Sequence, residues 1–159
     1  MTSRDFKAVF SVEQAESWKL GAQWLFPLHY EELARDKDRI PMDLDFARYK
    51  TAEDNGQLLI VVAKVEETII GYFVCALLPH LHYKSSGLMA TTDMYFVHPE
   101  YRRGGTGTQL ILFVEAVLKS LGVTKFYVST KLHSDNSLLF EALGFRPTDK
   151  IFTKMLAGA

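Results

Sequence analysis

The residues with the most distinctive chemistry form a glycine-rich loop near the middle of the chain. Residues 102–107 read RRGGTG, and an apolar segment with helical spacing follows them directly. Glycines let backbone amides approach a ligand closely and adopt positive φ. A helix N-terminus adds unpaired N–H groups and a partial positive charge, so this loop can hold a phosphate. A glycine-rich turn before the helix is the alternative that the loop alone leaves open.

Two common phosphate loops fit this segment poorly. A P-loop carries a lysine directly after its last glycine, whereas Thr108 follows Gly107 here. A Rossmann fingerprint opens the first strand–helix unit and needs a third glycine, which the pair Gly105 and Gly107 lacks at the required place. An unrelated nucleotide-binding domain is therefore disfavoured.

The elements around the loop place it between a strand and a helix. Residues 88–97 and 123–130 are predicted to be strands, and the apolar stripe after Gly105 predicts a helix to Leu121. Gly122 then fits the end of that helix. A strand–helix–strand unit of this kind is expected to be a right-handed parallel crossover.

The N-terminal part is predicted to contribute a strand and two helices. Residues 6–10 read as a short strand. Ser11 with Gln14 fits a capping box for the first helix, and Pro27 is expected to end or kink that helix. Asp43 is expected to cap the second helix.

The remaining segments predict a hairpin, a short helix and a last strand. Residues 58–65 and 69–78 read as hairpin partners, and residues 149–156 read as the final strand. Asp135 or Ser134 is expected to cap the short helix. The predicted order is β-α-α-β-β-β-α-β-α-β. This is an α/β (α+β) fold, in which helices flank both faces of a mixed, mostly antiparallel sheet.

Composition narrows the class of protein. The 159 residues favour a single domain over residues 1–159, and a net charge of −1 disfavours a nucleic-acid binder. The N-terminus lacks a signal-like apolar region, and no apolar run is long enough to span a membrane, so a cytoplasmic protein without membrane contacts is expected. The single cysteine, Cys75, lies in an apolar run, which favours a buried side chain over a nucleophile. No metal site is predicted.

A third phosphate-binding pattern matches the loop in full. Residues 102–107 fit Q/R-x-x-G-x-G/A, behind the segment VHPEY at residues 97–101. Residues 135–145 then read DNSLLFEALGF. Together with the order of elements, these segments resemble the GNAT superfamily of N-acetyltransferases. The resemblance covers nearly the whole chain and is weak before residue 57, and Thr106 replaces the family's usual aliphatic residue.

The resemblance implies an acetyl-CoA site along the fourth strand and the loop. The pyrophosphate would lie on the amides of residues 103–108, with Arg102 or Arg103 adding charge. The pantetheine arm would pair with the backbone of Tyr95 and Val97, where the fourth and fifth strands splay apart. The implied cofactor-binding residues are Tyr95, Phe96, Val97, Arg102, Arg103, Gly104, Gly105, Thr106, Gly107, Thr108, Asn136 and Phe140.

The implied reaction is direct attack of a primary amine on the thioester of acetyl-CoA, the amine belonging to a small molecule or a protein. A free alkylamine has a pKa of about 10.4, so a base must remove its proton at neutral pH. Asp93 is the first candidate, because alternation places it on the strand face of Tyr95 and Val97. A structural carboxylate is the alternative for Asp93.

Histidines are the other candidate bases. The pKa of histidine suits this work, and His80, His82 and His133 lie in predicted loops, where a solvated side chain is the alternative. His133 directly precedes the helix expected near the cofactor.

Phe140 departs from the family's pattern. Many members carry a tyrosine at this position as the general acid for the thiolate, and phenylalanine cannot donate a proton. Ser134, Ser137, Tyr95 or water would then donate it. This departure keeps a second hypothesis open: a non-catalytic GNAT-fold protein that binds acyl-CoA or acts as a structural or interaction module.

The acceptor side is expected in two segments, residues 26–40 and 79–87. Their acidic and aromatic side chains would suit a cationic amine, and plain solvated loops are the alternative. The sequence does not name the acceptor amine, and it leaves a homodimer open.

Overall fold

The computed structural model describes residues 5–157, which form one five-stranded sheet with helices on both faces. The strands are β1 (Val9–Val12), β2 (Leu58–Val65), β3 (Thr68–Pro79), β4 (Leu88–Val97) and β5 (Val123–Tyr127). The helices are α1 (Ala15–Ala22), α2 (Phe26–Leu33), α3 (Phe46–Asp54), α4 (Thr106–Ser120) and α5 (Ser137–Ala142).

The sheet follows the order of the sequence, β1-β2-β3-β4-β5. The first four strands pair antiparallel, and β5 pairs parallel to β4. Helix α4 makes the crossover between β4 and β5, as the sequence predicts. The mixed, mostly antiparallel sheet flanked by helices is therefore confirmed.

Two apolar clusters attach the helices to opposite faces of the sheet. Leu110, Ile111 and Val114 of α4 are fully buried against one face. Trp18 of α1 is fully buried on the other face, where its ring packs at 5.7 Å from that of Tyr72. Complete burial of such side chains contributes about 1.5–3 kcal/mol each, so the helical stripes fix both layers.

The capping predictions for the first helices are wrong. Ser11 lies inside β1, and Gln14 precedes α1 without a side-chain capping bond. The N–H of Ala15 instead donates to Glu53 of α3 at 2.7 Å. A partner that is 38 residues away in the sequence leaves no local signal. For α3 the capping residue is Asp45, which accepts from the N–H of Arg48, and not Asp43.

One helix was not predicted. Pro27 neither ends nor kinks α1, because α1 already ends at Ala22 and the proline lies in the first turn of α2. A first-turn proline removes no helical hydrogen bond and presets φ for the helix. Three helices therefore follow β1, where the sequence predicted two.

The predicted last strand is absent from the described chain. Residues 149–156 form no strand, and β5 ends at Tyr127 and pairs only with β4 within residues 5–157. Ile151, Phe152 and Leu156 are 86%, 89% and 89% exposed. Strand propensity reflects packing on neighbouring strands, and these side chains have no such packing here.

Residues 5–157 contain no helix that is both long and apolar enough to cross a membrane.

Candidate functional site

Strands β4 and β5 separate halfway along β4. Their paired residues run from Leu88 to Thr91 of β4, and the last pair is Thr91 with Tyr127. The hydroxyl of Thr92 still donates to the carbonyl of Tyr127 at 2.9 Å. Beyond this point, residues 94–97 of β4 pair with β3 alone, and we call their other side the open edge.

The open edge presents backbone groups to a ligand. The N–H of His98 donates to the carbonyl of Ile70 at 2.8 Å, which makes Val97 and Gly71 a non-hydrogen-bonded pair. Backbone groups alternate in direction along a strand, so the N–H and C=O of Tyr95 and Val97 point away from β3. A thin ligand that carries amides can add to such an edge like an extra strand.

The glycine loop, residues 102–107, leads from the end of β4 into α4. Gly104 and Gly105 have φ of 72° and 78°, values at which a side chain is strained. The first bond of α4 joins the N–H of Gln109 to the carbonyl of Gly105 at 2.9 Å. Within the described chain, no backbone N–H of residues 103–108 donates to a protein acceptor. Their unpaired amides and the helix dipole form a site for an anion.

The two arginines of the loop have different surroundings. Arg102 donates from Nε to the carbonyl of Val97 at 2.8 Å and pairs with Glu32 at 2.7 Å, and its guanidinium lies over the ring of Phe96 at 5.4 Å. Arg102 therefore ties α2 to the end of β4. Arg103 is exposed and has no hydrogen bond or ion pair from its side chain within residues 5–157, so its charge is available to an anion on the loop.

Gly107 lies under the hydroxyl of Tyr95. A Cβ at Gly107 would stand 2.7 Å from Oη of Tyr95, so only a glycine avoids a steric clash with this ring. Burial raises the pKa of Tyr95 to about 12, although the Arg102 charge opposes the shift, and the hydroxyl stays protonated at neutral pH. The close approach gives Gly107 a packing role in addition to its place in the loop.

Thr106 is buried, with 2% of its surface exposed. Its hydroxyl donates to the carbonyl of Arg103 at 3.2 Å. The side chain therefore braces the loop from the inside, and it leaves the amide surface of the loop free. Its neighbour Thr108 is half-buried in the first turn of α4.

Asp93 does not share a face with Tyr95 and Val97, which corrects the alternation used for the sequence prediction. A β-bulge interrupts the register: Val74 faces Met94 and Cys75 faces Thr92, so Asp93 has no partner on β3. One extra residue shifts the direction of the following side chains. Tyr95 and Val97 pack toward α4, whereas the Asp93 carboxylate reaches α3 on the opposite face.

Tyr49 of α3 holds that carboxylate. Its hydroxyl donates to Oδ2 of Asp93 at 2.5 Å. Burial, and then the contact with Asp93, raises the pKa of Tyr49 well above its ordinary value, so the phenol remains a donor. Asp93 itself is exposed and accessible to an incoming group. The helical spacing of α3 gave no signal of this contact.

A model of the acetyltransferase (GNAT) family matches residues 19–145. The chain belongs to the GNAT acetyltransferase family. No curated protein matches the chain.

Solved structures of other acetyltransferases share this fold. An aminoglycoside acetyltransferase from an uncultured soil metagenomic sample, in complex with sisomicin, is 15% identical with a TM-score of 0.72, over 94% of this chain and 97% of that one. Glucosamine-6-phosphate N-acetyltransferase from Arabidopsis thaliana is 15% identical with a TM-score of 0.72, over 95% and 99%. A predicted acetyltransferase from Clostridium acetobutylicum, with acetyl-CoA, is 17% identical with a TM-score of 0.71, over 94% and 97%. These similarities show the GNAT fold.

His133, a predicted base of this GNAT chain, bridges to α2. Its Nδ1 lies 3.2 Å from Nε of Arg35, which can only donate, and its Nε2 lies 3.2 Å from the carbonyl of Glu32. Nδ1 therefore accepts from Arg35, Nε2 contacts the carbonyl of Glu32, and both nitrogens are occupied. His133 holds the loop after β5 against α2.

The other residues predicted after β5 take separate positions. The N–H of Asn136 donates to the hydroxyl of Thr130 at 2.7 Å. Asp135 accepts from the N–H of Ser137 at 2.9 Å, so it is Asp135 rather than Ser134 that bonds to the start of α5. The hydroxyl of Ser134 has no hydrogen bond to the described residues.

Phe140 is a core residue. It is 6% exposed and packs at 5.9 Å from the ring of Phe145, in the cluster under α4. The structure therefore places the Phe140 side chain in the core and not on the open edge. Phe96 is also buried, in the cluster on the opposite face.

His29 lies on α2, in the segment 26–40 expected on the acceptor side. Its Nδ1 lies 2.8 Å from the hydroxyl of Tyr72, and its ring stacks on Phe96 at 4.9 Å. Burial lowers the pKa of His29 to about 4, against the opposing pull of Glu32, so the ring is neutral at physiological pH. The contacts that bury His29 come from Tyr72 and Phe96, which are distant in sequence, so the local sequence gives no signal of this buried histidine.

Cys75 lies in the core. It is fully buried, and burial, followed by the nearby Asp93 charge, raises the pKa of its thiol to about 12. A protonated thiol that is closed to solvent is a poor nucleophile. The surroundings agree with the structural interpretation of this cysteine.

Proposed function

We propose that this chain is an acetyl-CoA-dependent N-acetyltransferase acting on a primary amine. The observation that carries the proposal is the continuity of two unpaired backbone surfaces. The open edge at Tyr95 and Val97 runs directly into the amides of residues 103–108. The first surface suits a linear arm with amide groups, and the second suits a phosphate at its end.

The residues present fit acetyl-CoA as the donor. Val97 keeps an acceptor position, because its carbonyl receives Arg102 and a carbonyl oxygen has two lone pairs. Arg103 is positioned to add a charge-assisted hydrogen bond to a phosphate. Acetyl-CoA, when bound, supplies the activated acetyl thioester. The described chain supplies the surface and the proton transfers.

Asp93 is the proposed base for the acceptor amine. It stands at the start of the open edge, accessible from the α3 face, and its second oxygen is available because Tyr49 bonds to Oδ2. The carboxylate takes the ammonium proton directly or through water, while the Tyr49 hydroxyl fixes its orientation. His133 is engaged with Arg35 and Glu32, so we assign it to positioning the loop.

The proton for the departing thiolate has fewer available sources than the sequence suggested. Phe140 has no hydroxyl, Ser137 donates to Asp135 at 2.5 Å, and Tyr95 is directed to α4. Ser134 and water remain. The same observation supports the second candidate function, a GNAT domain that binds acyl-CoA without turnover.

Thiol release in a screen of amines tests the proposal. We expect acetyl-CoA-dependent release with at least one primary amine, and loss of it in Asp93→Asn. Binding of acetyl-CoA with no turnover on small amines and peptides would instead favour the non-catalytic function. If the protein neither binds acetyl-CoA nor turns it over, both candidate functions are wrong.

A further inference from the structure

A second concave site lies at the other end of β4 and β5 from the glycine loop. An open pocket of ≈ 830 Å³ is lined by residues 80, 82–89, 124 and 125. Its volume is within the range of small-molecule sites, which is about 300–1,000 Å³. We call it the basic pocket, for the charges described below.

The basic pocket opens on the same sheet face as the Asp93 carboxylate. Ala90 and Phe126 pack into the cluster under α4, so the neighbouring residues Met89 and Lys125 point to the opposite face. Asp93 reaches α3 on that face. Met89 precedes Asp93 by four residues, which is about 13 Å along a strand.

The charge in the pocket has one sign. Lys84 and Lys125 line it, together with His80 and His82. No aspartate or glutamate is among its lining residues in the described chain. Two ammonium groups with no lining carboxylate favour an anion over the cationic end of an amine.

Lys125 is not neutralised by its surroundings. Its Nζ lies 4.9 Å from the centre of the Tyr127 ring. A hydrogen bond to Tyr127, and then the more weakly acting Asp149, raise the pKa of Lys125, and Arg146 opposes them. Lys125 is exposed and forms no ion pair within residues 5–157. Its positive charge is therefore available to a ligand.

The wall of the pocket is fixed to the sheet. The hydroxyl of Thr124 donates to the carbonyls of Ser86 at 2.5 Å and Leu88 at 3.1 Å. Nδ1 of His80 is buried and has no hydrogen-bond partner within residues 5–157.

We propose that the acceptor is a small amine that carries an anionic group, and that the basic pocket holds this carboxylate or phosphate while the amine lies at Asp93. The inference rests on the proposed function. It specifies the substrate class: an amine and an anion separated by roughly 13 Å, from the strand spacing between Met89 and Asp93.

A series of ω-amino acids of graded length, each paired with its ω-amino amide, tests the proposal through kcat/KM for thiol release. We expect the best carboxylate to exceed its amide by about tenfold, the size of one charged hydrogen bond. The double variant Lys84→Met/Lys125→Met should remove this preference, so that each carboxylate reacts no faster than its amide. Lys119→Met on α4 removes one positive charge away from the pocket and should keep the preference.

The outcomes separate the two claims. Equal rates on carboxylates and amides, or a preference that survives in the double variant, would overturn the acceptor class and leave N-acetylation intact. If no amine is acetylated, the proposed function fails, and calorimetry with the longest ω-amino acid decides about the pocket. Binding that is weakened about fivefold or more in the double variant supports it, and equal or absent binding contradicts it.

Discussion

The hydroxyl of Tyr49 donates to Oδ2 of Asp93 at 2.5 Å and joins α3 to the bulge in β4. The contact gives Asp93 a defined orientation in an exposed position. If Asp93 is the base, Asp93→Asn should lower kcat by about 10²-fold or more, the usual contribution of a positioned base. Steady-state thiol release measures this effect, and an unchanged pH–rate profile in Asp93→Asn would remove the base assignment.

Tyr49→Phe tests positioning separately from proton transfer. Loss of the hydroxyl leaves the carboxylate in place but free to rotate, so kcat should fall by about tenfold while KM for acetyl-CoA stays the same. Tyr30→Phe on α2, which loses a hydroxyl bond to the carbonyl of Ile40, is the matched control. Equal kcat in Tyr49→Phe and wild type would mean that the contact is only structural.

Gly107→Ala should act through Tyr95. The new Cβ would stand 2.7 Å from Oη, and overpacking of this kind costs about 1–3 kcal/mol. Alanine in a helix recovers about 0.5–1 kcal/mol, which leaves a net loss of about 1 kcal/mol. In a Tyr95→Phe background the clash is absent, and Gly107→Ala should become neutral or stabilising. Urea unfolding of the four proteins measures the cycle, and a loss of equal size in both backgrounds would contradict the contact.

The buried His29 predicts acid sensitivity. Its pKa falls from 6.5 to about 4 on folding, so the unfolded chain binds more protons between these values. The contribution of neutral His29 to the free energy of unfolding should therefore be complete above pH 6.5. It should decrease as the pH falls towards 4, by up to about 2 kcal/mol after allowance for partial exposure. His29→Gln keeps a polar partner for Tyr72 and should flatten this dependence between pH 7 and 5. The same slope in both proteins would contradict the prediction.

The two loop arginines should separate binding from stability. Arg103→Met should weaken acetyl-CoA binding by about tenfold, because it removes a charged hydrogen bond to phosphate. Glu32→Gln removes the partner of Arg102 and should change the free energy of unfolding more than the affinity. Calorimetry and urea unfolding on both variants check this division. A larger loss of affinity in Glu32→Gln than in Arg103→Met would mean that Arg102, and not Arg103, contacts the phosphate.

Strong local patterns allowed much of the fold to be predicted. β2 and β4 match their predicted bounds, and α4 runs from Thr106 to Ser120 because its apolar stripe and its flanking glycines agree. The features that failed depend on partners distant in sequence. Glu53 caps α1 from another helix, and the apolar pattern of residues 149–156 has no neighbouring strand to pack on.

The candidate site likewise combines features that local sequence predicts with features that depend on distant residues. The positive φ of Gly104 and Gly105 follows from residue type, and the loop was located by its motif. The orientation of Asp93 was not predictable, because a single bulged residue reverses the alternation on which the prediction relied. The ion pair that turns Arg102 away from the loop joins residues 70 positions apart, and neither segment indicates it alone.

Calorimetric titration with acetyl-CoA tests the central claim most directly, on the wild type and two glycine variants. Gly105→Glu places a side chain and a negative charge on the glycine loop. Gly56→Glu carries comparable backbone strain at a φ of 68°, with open space around it and away from the site. We expect the wild type and Gly56→Glu to bind acetyl-CoA and Gly105→Glu to lose binding. No binding by the wild type, or equal binding by Gly105→Glu, would contradict the assignment of the loop to the cofactor.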